Sequence, residues 1–222
     1  MTKGSKLYSL LCEELPTIPH ERDKAIETFS AMNGWQRYGR DRGNLSGRLA
    51  EIDTLNRLEE LRRRHLSDVR FFTLKRRTER GGYSFEQKEG GNIEFEKLGI
   101  DRAKREKLTD FGEVDVVVRI YGTPVIFETH LAPYKIRSSK KRHSVGRMLQ
   151  PKALASKRKP IELLCGARPK IVYVVPSNHV QKIENPETMI SKFVSGGGII
   201  LDFGETRAEW NHFIDLLFSD AA

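Results

Sequence analysis

Cysteine is nearly absent: Cys12 and Cys165 are the only two in 222 residues. Two thiols build neither a disulfide framework nor a cysteine zinc cluster, and they fit a reducing compartment. No apolar run approaches the roughly 20 residues of a membrane-spanning helix. The first residues also lack the apolar core of a secretory signal. The expectation is a soluble, intracellular (cytoplasmic) protein with no membrane partner. A Walker loop, a dinucleotide fingerprint, a Ser-His-Asp signature and internal repeats are all missing, which argues against the function classes they mark. Acids are missing too, but locally: none occurs from Thr129 through Ile161.

What is abundant is positive charge. Thirty-nine Lys and Arg against 30 Asp and Glu give a formal net charge of +9. Such a balance favours a polyanionic partner, nucleic acid before a membrane surface, with an incidentally basic soluble protein as the alternative. Ten Lys and Arg fall between Lys135 and Lys159, inside the acid-free stretch. The run from Lys135 to His143 reads as a basic arm. Lys135, Arg137, Lys140, Lys141, Arg142 and Arg147 are its candidate phosphate contacts, against the plain reading of a solvated face. Earlier, Trp35 and Tyr38 are interleaved with Arg37, Arg40, Arg42 and Arg48, a mixture that suits bases and phosphates or simply a surface loop.

The arm directly follows the most informative stretch, residues 112–130, GEVDVVVRIYGTPVIFETH. Two strand-like runs, Val114–Ile120 and Pro124–Phe127, flank a tight turn at Tyr121-Gly122. Side chains alternate faces along a strand. Val114, Val116, Val118 and Ile120 therefore share an apolar face and leave Asp115 on the other, with Glu113 and Arg119. In the second run Ile126, Glu128 and His130 share one face. A hairpin then brings Asp115 and Glu128 together, where two carboxylates repel unless a cation binds them. Oxygen ligands of this kind suit hard divalent cations.

Gly112-Glu113-Val114-Asp115 and Phe127-Glu128-Thr129-His130, with the acids thirteen residues apart, resemble the PD-(D/E)XK nuclease superfamily. Many members carry G-E-[IV]-D, a hairpin turn, then an apolar residue, any residue, E-x-K. Here Val114 precedes Asp115 where relatives commonly have proline, and His130 stands at the lysine position. The resemblance covers roughly residues 44–205. It implies a restriction-endonuclease-like α/β fold, a mixed central sheet flanked by helices. It also implies Asp115 and Glu128 as ligands of Mg²⁺ or Mn²⁺, assisted by the Thr129 carbonyl and by Glu51 from a helix preceding the sheet. His130 becomes a proton acceptor or further ligand, with Lys135 as an alternative source of the missing charge. Gln150 matches a glutamine that some relatives carry on the next helix. The implied activity is metal-dependent endo- or exonucleolytic cleavage of nucleic acid, DNA before RNA, with a homodimer among the expected assemblies. The alternatives are a catalytically inactive nucleic-acid-binding protein of the same fold, and a scaffold subunit whose basic face meets an acidic protein.

The remaining chain reads as elements around this centre. Residues 1–43 form a small helical N-terminal extension and 44–222 the nuclease-like domain. Leu7, Leu10, Leu11 and Leu15 repeat at helical spacing before Pro16, and a second helix runs from about Pro19, with a solvated His20, to Asn33-Gly34. A long helix capped by Ser46 reaches about His65, with Leu49, Ile52, Leu55, Leu58 and Leu61 as its buried stripe. Glu59 and Glu60 pair with Arg62–Arg64. Strands follow at Val69–Leu74, Lys170–Pro176 and Gly198–Phe203. A hairpin turns at Gly90-Gly91, and a short helix or loop spans 97–111. Helices occupy Ser144–Ala155, Pro186–Val194 capped by Asn185, and Glu209–Phe218.

Overall fold

The alternation of β-branched residues around Tyr121-Gly122 does build the centre of the molecule. The computed structural model describes residues 3–31, 42–65, 68–74, 96–98, 114–131, 146, 148–181, 185–202, 204 and 207–219. Its sheet contains β1 (Val69–Leu74), β2 (Glu96–Leu98), β3 (Val116–Ile120), β4 (Thr123–Thr129), β5 (Lys170–Val174) and β6 (Gly198–Leu201). Their spatial order is β2-β1-β3-β4-β5-β6. The short β2 runs parallel to β1, β3 is antiparallel to both β1 and β4, and β5 and β6 continue parallel to β4. The architecture is therefore mixed α/β.

Tyr121 (φ 49°) and Gly122 (φ 78°) both take positive φ, as the two central residues of a type I′ hairpin turn must. That turn fixes the register Val116↔Phe127 through Ile120↔Thr123. A one-residue slip would put every side chain on the wrong face. Val117, on the side that the sequence leaves polar, is as buried as Val116 and Val118. Both faces of the sheet are covered, as expected of a sheet flanked by helices, so Val117 is buried although it shares the face of Asp115 and Arg119.

The helices explain the double burial. They are α1 (Lys3–Ser9), α2 (Arg22–Ala31), α3 (Arg42–His65), α4 (Pro151–Cys165), α5 (Ser177–Val180), α6 (Pro186–Ser195) and α7 (Arg207–Ser219). Ala50, Asp53 and Thr54 of α3 and Trp210 of α7 line one pocket together with Thr129 and its register partner Val174. Those two residues belong to one face. Lys157 of α4 and Phe193 of α6 reach Glu128 and its register partner Tyr173 on the other.

The N-terminal residues are part of the same packing. After α1 the chain passes through a wider turn at Leu10–Glu14 and a tighter one at Leu15–Thr17, where Pro16 breaks the helix. Leu7, Leu10, Leu11, Leu15 and Ile18 join the hydrophobic cluster that holds the sheet. Ala25 and Phe29 pack with Leu45, Leu49, Ile52, Trp210 and Ile214. His20 is not solvated. Its Nδ1 lies 3.0 Å from Asp53 and its ring meets Trp210 edge-on, with centroids 5.4 Å apart. Asp53 also accepts from Arg57 Nε at 2.9 Å, and Arg57 donates to the Ile18 carbonyl at 3.1 Å.

Several expected boundaries move. The long helix starts at Arg42, so Ser46 lies inside it as a buried residue rather than at its cap. The helix expected over Ser144–Ala155 is centred later: α4 begins at Pro151, whose missing N–H is harmless in a first turn, and continues to Cys165. Pro160 is accommodated within it. Asn185 precedes α6 in a left-handed conformation (φ 53°) and makes no side-chain cap hydrogen bond. The Gly90-Gly91 hairpin lies outside the described residues, and Lys97-Leu98 are strand rather than helix or loop. The ion pairs of Glu59 and Glu60 with Arg62, Arg63 and Arg64 are present. Among the described residues, no helix is long and apolar enough to cross a membrane.

Candidate metal and phosphate site

Extending the β3–β4 register by one step sets Asp115 directly opposite Glu128. Asp115 sits in the bend just before β3, where the ladder ends and its side chain can fold back along the partner strand. Its Oδ2 accepts the Thr129 backbone N–H at 2.8 Å and the Thr129 hydroxyl at 3.3 Å. Its own N–H donates to Glu128 Oε1 at 3.4 Å. Each acid is thus bound to the strand that carries the other, which fixes the pair without any bridging group.

Glu128 is buried, with 2 % of its surface exposed. Burial first, and the neighbouring Asp115 charge second, push its carboxyl up to about 8, while Lys157 pulls in the opposite direction. The Lys157 ammonium donates to Glu128 Oε2 from the middle of α4. Tyr173, beside Glu128 across β4–β5, closes the same face and donates its hydroxyl to Met148 Sδ. Its phenol is raised above the ordinary value, mainly by burial and then by the charges of Glu128 and Asp115.

The sequence places Asp115 and Glu128 together, and so does the fold. Glu51 lies on α3 and forms an ion pair with Arg48, on the helix whose Ala50, Asp53 and Thr54 approach Thr129 from the opposite face. His130 follows the end of β4 and extends the parallel pairing through a 3.0 Å bond from its N–H to the Val174 carbonyl. Among the described residues, no group of three or more His, Cys, Asp and Glu is gathered as a metal site. Lys135, Arg137, Lys140, Lys141, Arg142 and Arg147 lie outside the described residues. Gln150 precedes α4 in extended conformation.

Two participants were not singled out from the sequence. Lys157 is one of ten basic residues in the acid-free stretch, and nothing local separates it from Lys152 or Lys159. Tyr173 is hidden in the apolar run KIVYVVP. Only the crossing of α4 over β4 and β5 selects them.

The donor set fits a hard divalent cation: two adjacent carboxylates are what Mg²⁺ commonly takes from a protein, its remaining positions going to water and substrate phosphate. Compared with known proteins, the chain matches no protein-family model, no curated protein and no solved structure.

Proposed function

We propose that this protein is a divalent-metal-dependent nuclease of restriction-endonuclease-like fold, cleaving phosphodiester bonds of nucleic acid, DNA before RNA. The observation that carries the reading is the in-register pair Asp115–Glu128 with the Lys157 ammonium on the buried member. Two carboxylates held this close, one of them deeply buried, repel each other, and Lys157 offsets only part of that cost.

Asp115 and Glu128 are the residues that would hold Mg²⁺ or Mn²⁺. Such an ion, when bound, acidifies a coordinated water and offsets charge on the phosphate. Asp115 is oriented by the Thr129 N–H and hydroxyl, so its carboxylate keeps one geometry through the reaction. Lys157 takes the part that the resemblance assigns to a lysine at position 130. Its ammonium, arriving from the neighbouring helix, can leave Glu128 for a phosphate oxygen and stabilise the charge that develops there. His130, two residues beyond Glu128 at the end of β4, supplies the proton acceptor.

The second reading, a non-cleaving nucleic-acid-binding protein, draws on one observation. No third His, Cys, Asp or Glu among the described residues joins the acid pair.

The test is incubation with labelled linear, branched and single-stranded DNA and RNA in the presence of Mg²⁺ or Mn²⁺. Wild type should give metal-dependent products. Asp115→Asn and Glu128→Gln should abolish them with the fold intact, and calorimetry should show weakened Mn²⁺ binding. Lys157→Ala should slow cleavage by about 10²-fold or more, as removal of a charge-stabilising donor does. His130→Ala should slow it less. Absence of products from wild type on every substrate, or cleavage that survives in both acid variants, would sink the nuclease reading.

A further inference from the structure

The residue after Lys157 contacts a different element. Arg158 Nη2 donates to the Gly196 carbonyl at 2.7 Å, at the turn between α6 and β6. A guanidinium carries five donors in a planar fork. One is used there, while Arg158 Nε is buried and has no hydrogen-bond partner among the described residues. The next residue of the turn, Gly197, has φ +80°, and a side chain on it would begin 3.4 Å from Lys170 Nζ and 3.9 Å from Arg158 Nη2. The ammonium and the guanidinium therefore converge on one small volume, which glycine leaves open.

A third cation belongs to the group. The Arg158 guanidinium is held below its ordinary value by burial first and then by the charge of Arg168, so the two arginines feel each other. Glu162, one turn further along α4, opposes this effect in part. Arg158 thus has two further cations for neighbours, Lys170 and Arg168, with Glu162 as its opposing charge. Arg158 also caps the negative end of α6, which accounts for one of the three charges. Arg168 and Lys170, both exposed, remain in surplus. Like charges brought together on a folded surface repel, and an anion with several acceptor oxygens relieves the repulsion.

We propose that Arg158, Arg168 and Lys170 form a phosphate-binding site that grips the backbone of a nucleic-acid strand at a phosphate other than the one cleaved. The proposal rests on the reading of the acid pair given above. Lys170 opens β5, and Tyr173, the register partner of Glu128, lies three residues along it. At about 3.3 Å per residue the two sites are roughly 10 Å apart along the sheet, about three base-pair rises of a duplex strand. The surplus cations set where a strand is held relative to the acids.

The experiment uses the full chain with the double variant Arg168→Gln/Lys170→Gln, whose side chains are exposed and dispensable to the core. Inorganic phosphate is titrated and read by thermal shift. Binding of labelled single-stranded and duplex DNA is read by anisotropy in EDTA over a salt series. Phosphate should raise the melting temperature of wild type and not of the double variant. DNA affinity should fall at least several-fold, and the log–log salt slope should shrink by up to about 0.9 for each lost duplex contact. Lys24→Gln, on α2, should behave as wild type. An equal phosphate response in wild type and double variant overturns the site. A lost phosphate response with unchanged DNA affinity and slope overturns the assignment to a strand. Because binding is read without metal, a wild type that binds DNA through this site yet cuts nothing leaves the strand-binding site standing and fails the nuclease reading alone.

Discussion

Glu128 stands under three influences that the fold brings to one carboxyl: burial, the Asp115 charge and the Lys157 ammonium. The first two prevail, and the group is pushed up to about 8. A carboxyl whose folded pKa exceeds its unfolded value binds its proton more tightly in the native state. Stability then falls as pH rises from the unfolded pKa, near 4.5, to the folded one, near 8. Glu128→Gln removes that titration while keeping the shape. Urea unfolding of wild type and variant at half-unit pH steps should therefore diverge in the variant's favour. The gain should be up to about 1.4 kcal/mol per pH unit across that window, then level off. A difference that stays flat from pH 5 to 8 would mean that Glu128 is not perturbed. That the two acids meet was legible in the sequence, because period-two alternation and a two-residue turn leave one register. That Glu128 is buried deeply enough to titrate so high was not. Its burial depends on Lys157 and Tyr173, separated from it by 29 and 45 positions.

Among the elements, the junction of α6 and β6 shows how little room the site's supports have. A Cβ on Gly198 would lie 2.3–2.6 Å from the ring of Phe193, which is fully buried and stacks edge-on against Tyr173 at 6.5 Å. Gly198→Ala must push that ring aside, and the displacement passes to the Tyr173 side of the sheet. The expected cost is about 1–3 kcal/mol, the usual range for overpacking a core. It is read as a lower urea midpoint, with a weakened near-ultraviolet signal from the aromatic pair. An unchanged midpoint would mean that the glycine is there for its backbone only. The elements themselves were read with uneven success, for physical reasons. Strands β3 to β6 announce themselves as apolar runs between turn residues. The second half of α4 does not, because Pro160 interrupts its helical pattern. Asn185 before Pro186 reads as a cap, yet its left-handed backbone makes no side-chain cap bond.

For the whole molecule, the N-terminal residues matter more than the description "extension" suggests. Arg57, 1 % exposed, is neutralised by Asp53 and bound to the Ile18 carbonyl, and Leu11 and Leu15 are fully buried. Removing residues 1–31 would uncover the apolar stripe of α3 and leave Arg57 and Asp53 facing water at the edge of the core. The truncated chain should lose its cooperative thermal transition and bind hydrophobic dyes. A sharp, reversible melt of the truncated chain, near the wild-type temperature, would show instead that the remaining residues fold alone.

Taken by itself, the sequence determined the local geometry of this protein. The turn at Tyr121-Gly122, the alternation that sets Asp115 across from Glu128 and the net charge of +9 are properties of neighbouring residues or of composition. Only the tertiary structure decided which of many lysines meets Glu128. It alone set His20 against Trp210 and Arg158 beside Lys170. The reason is that local periodicity fixes the direction of a side chain within its own element. The partner it meets depends on how helices distant in sequence cross the sheet, and those crossings are chosen by the packing of the whole core.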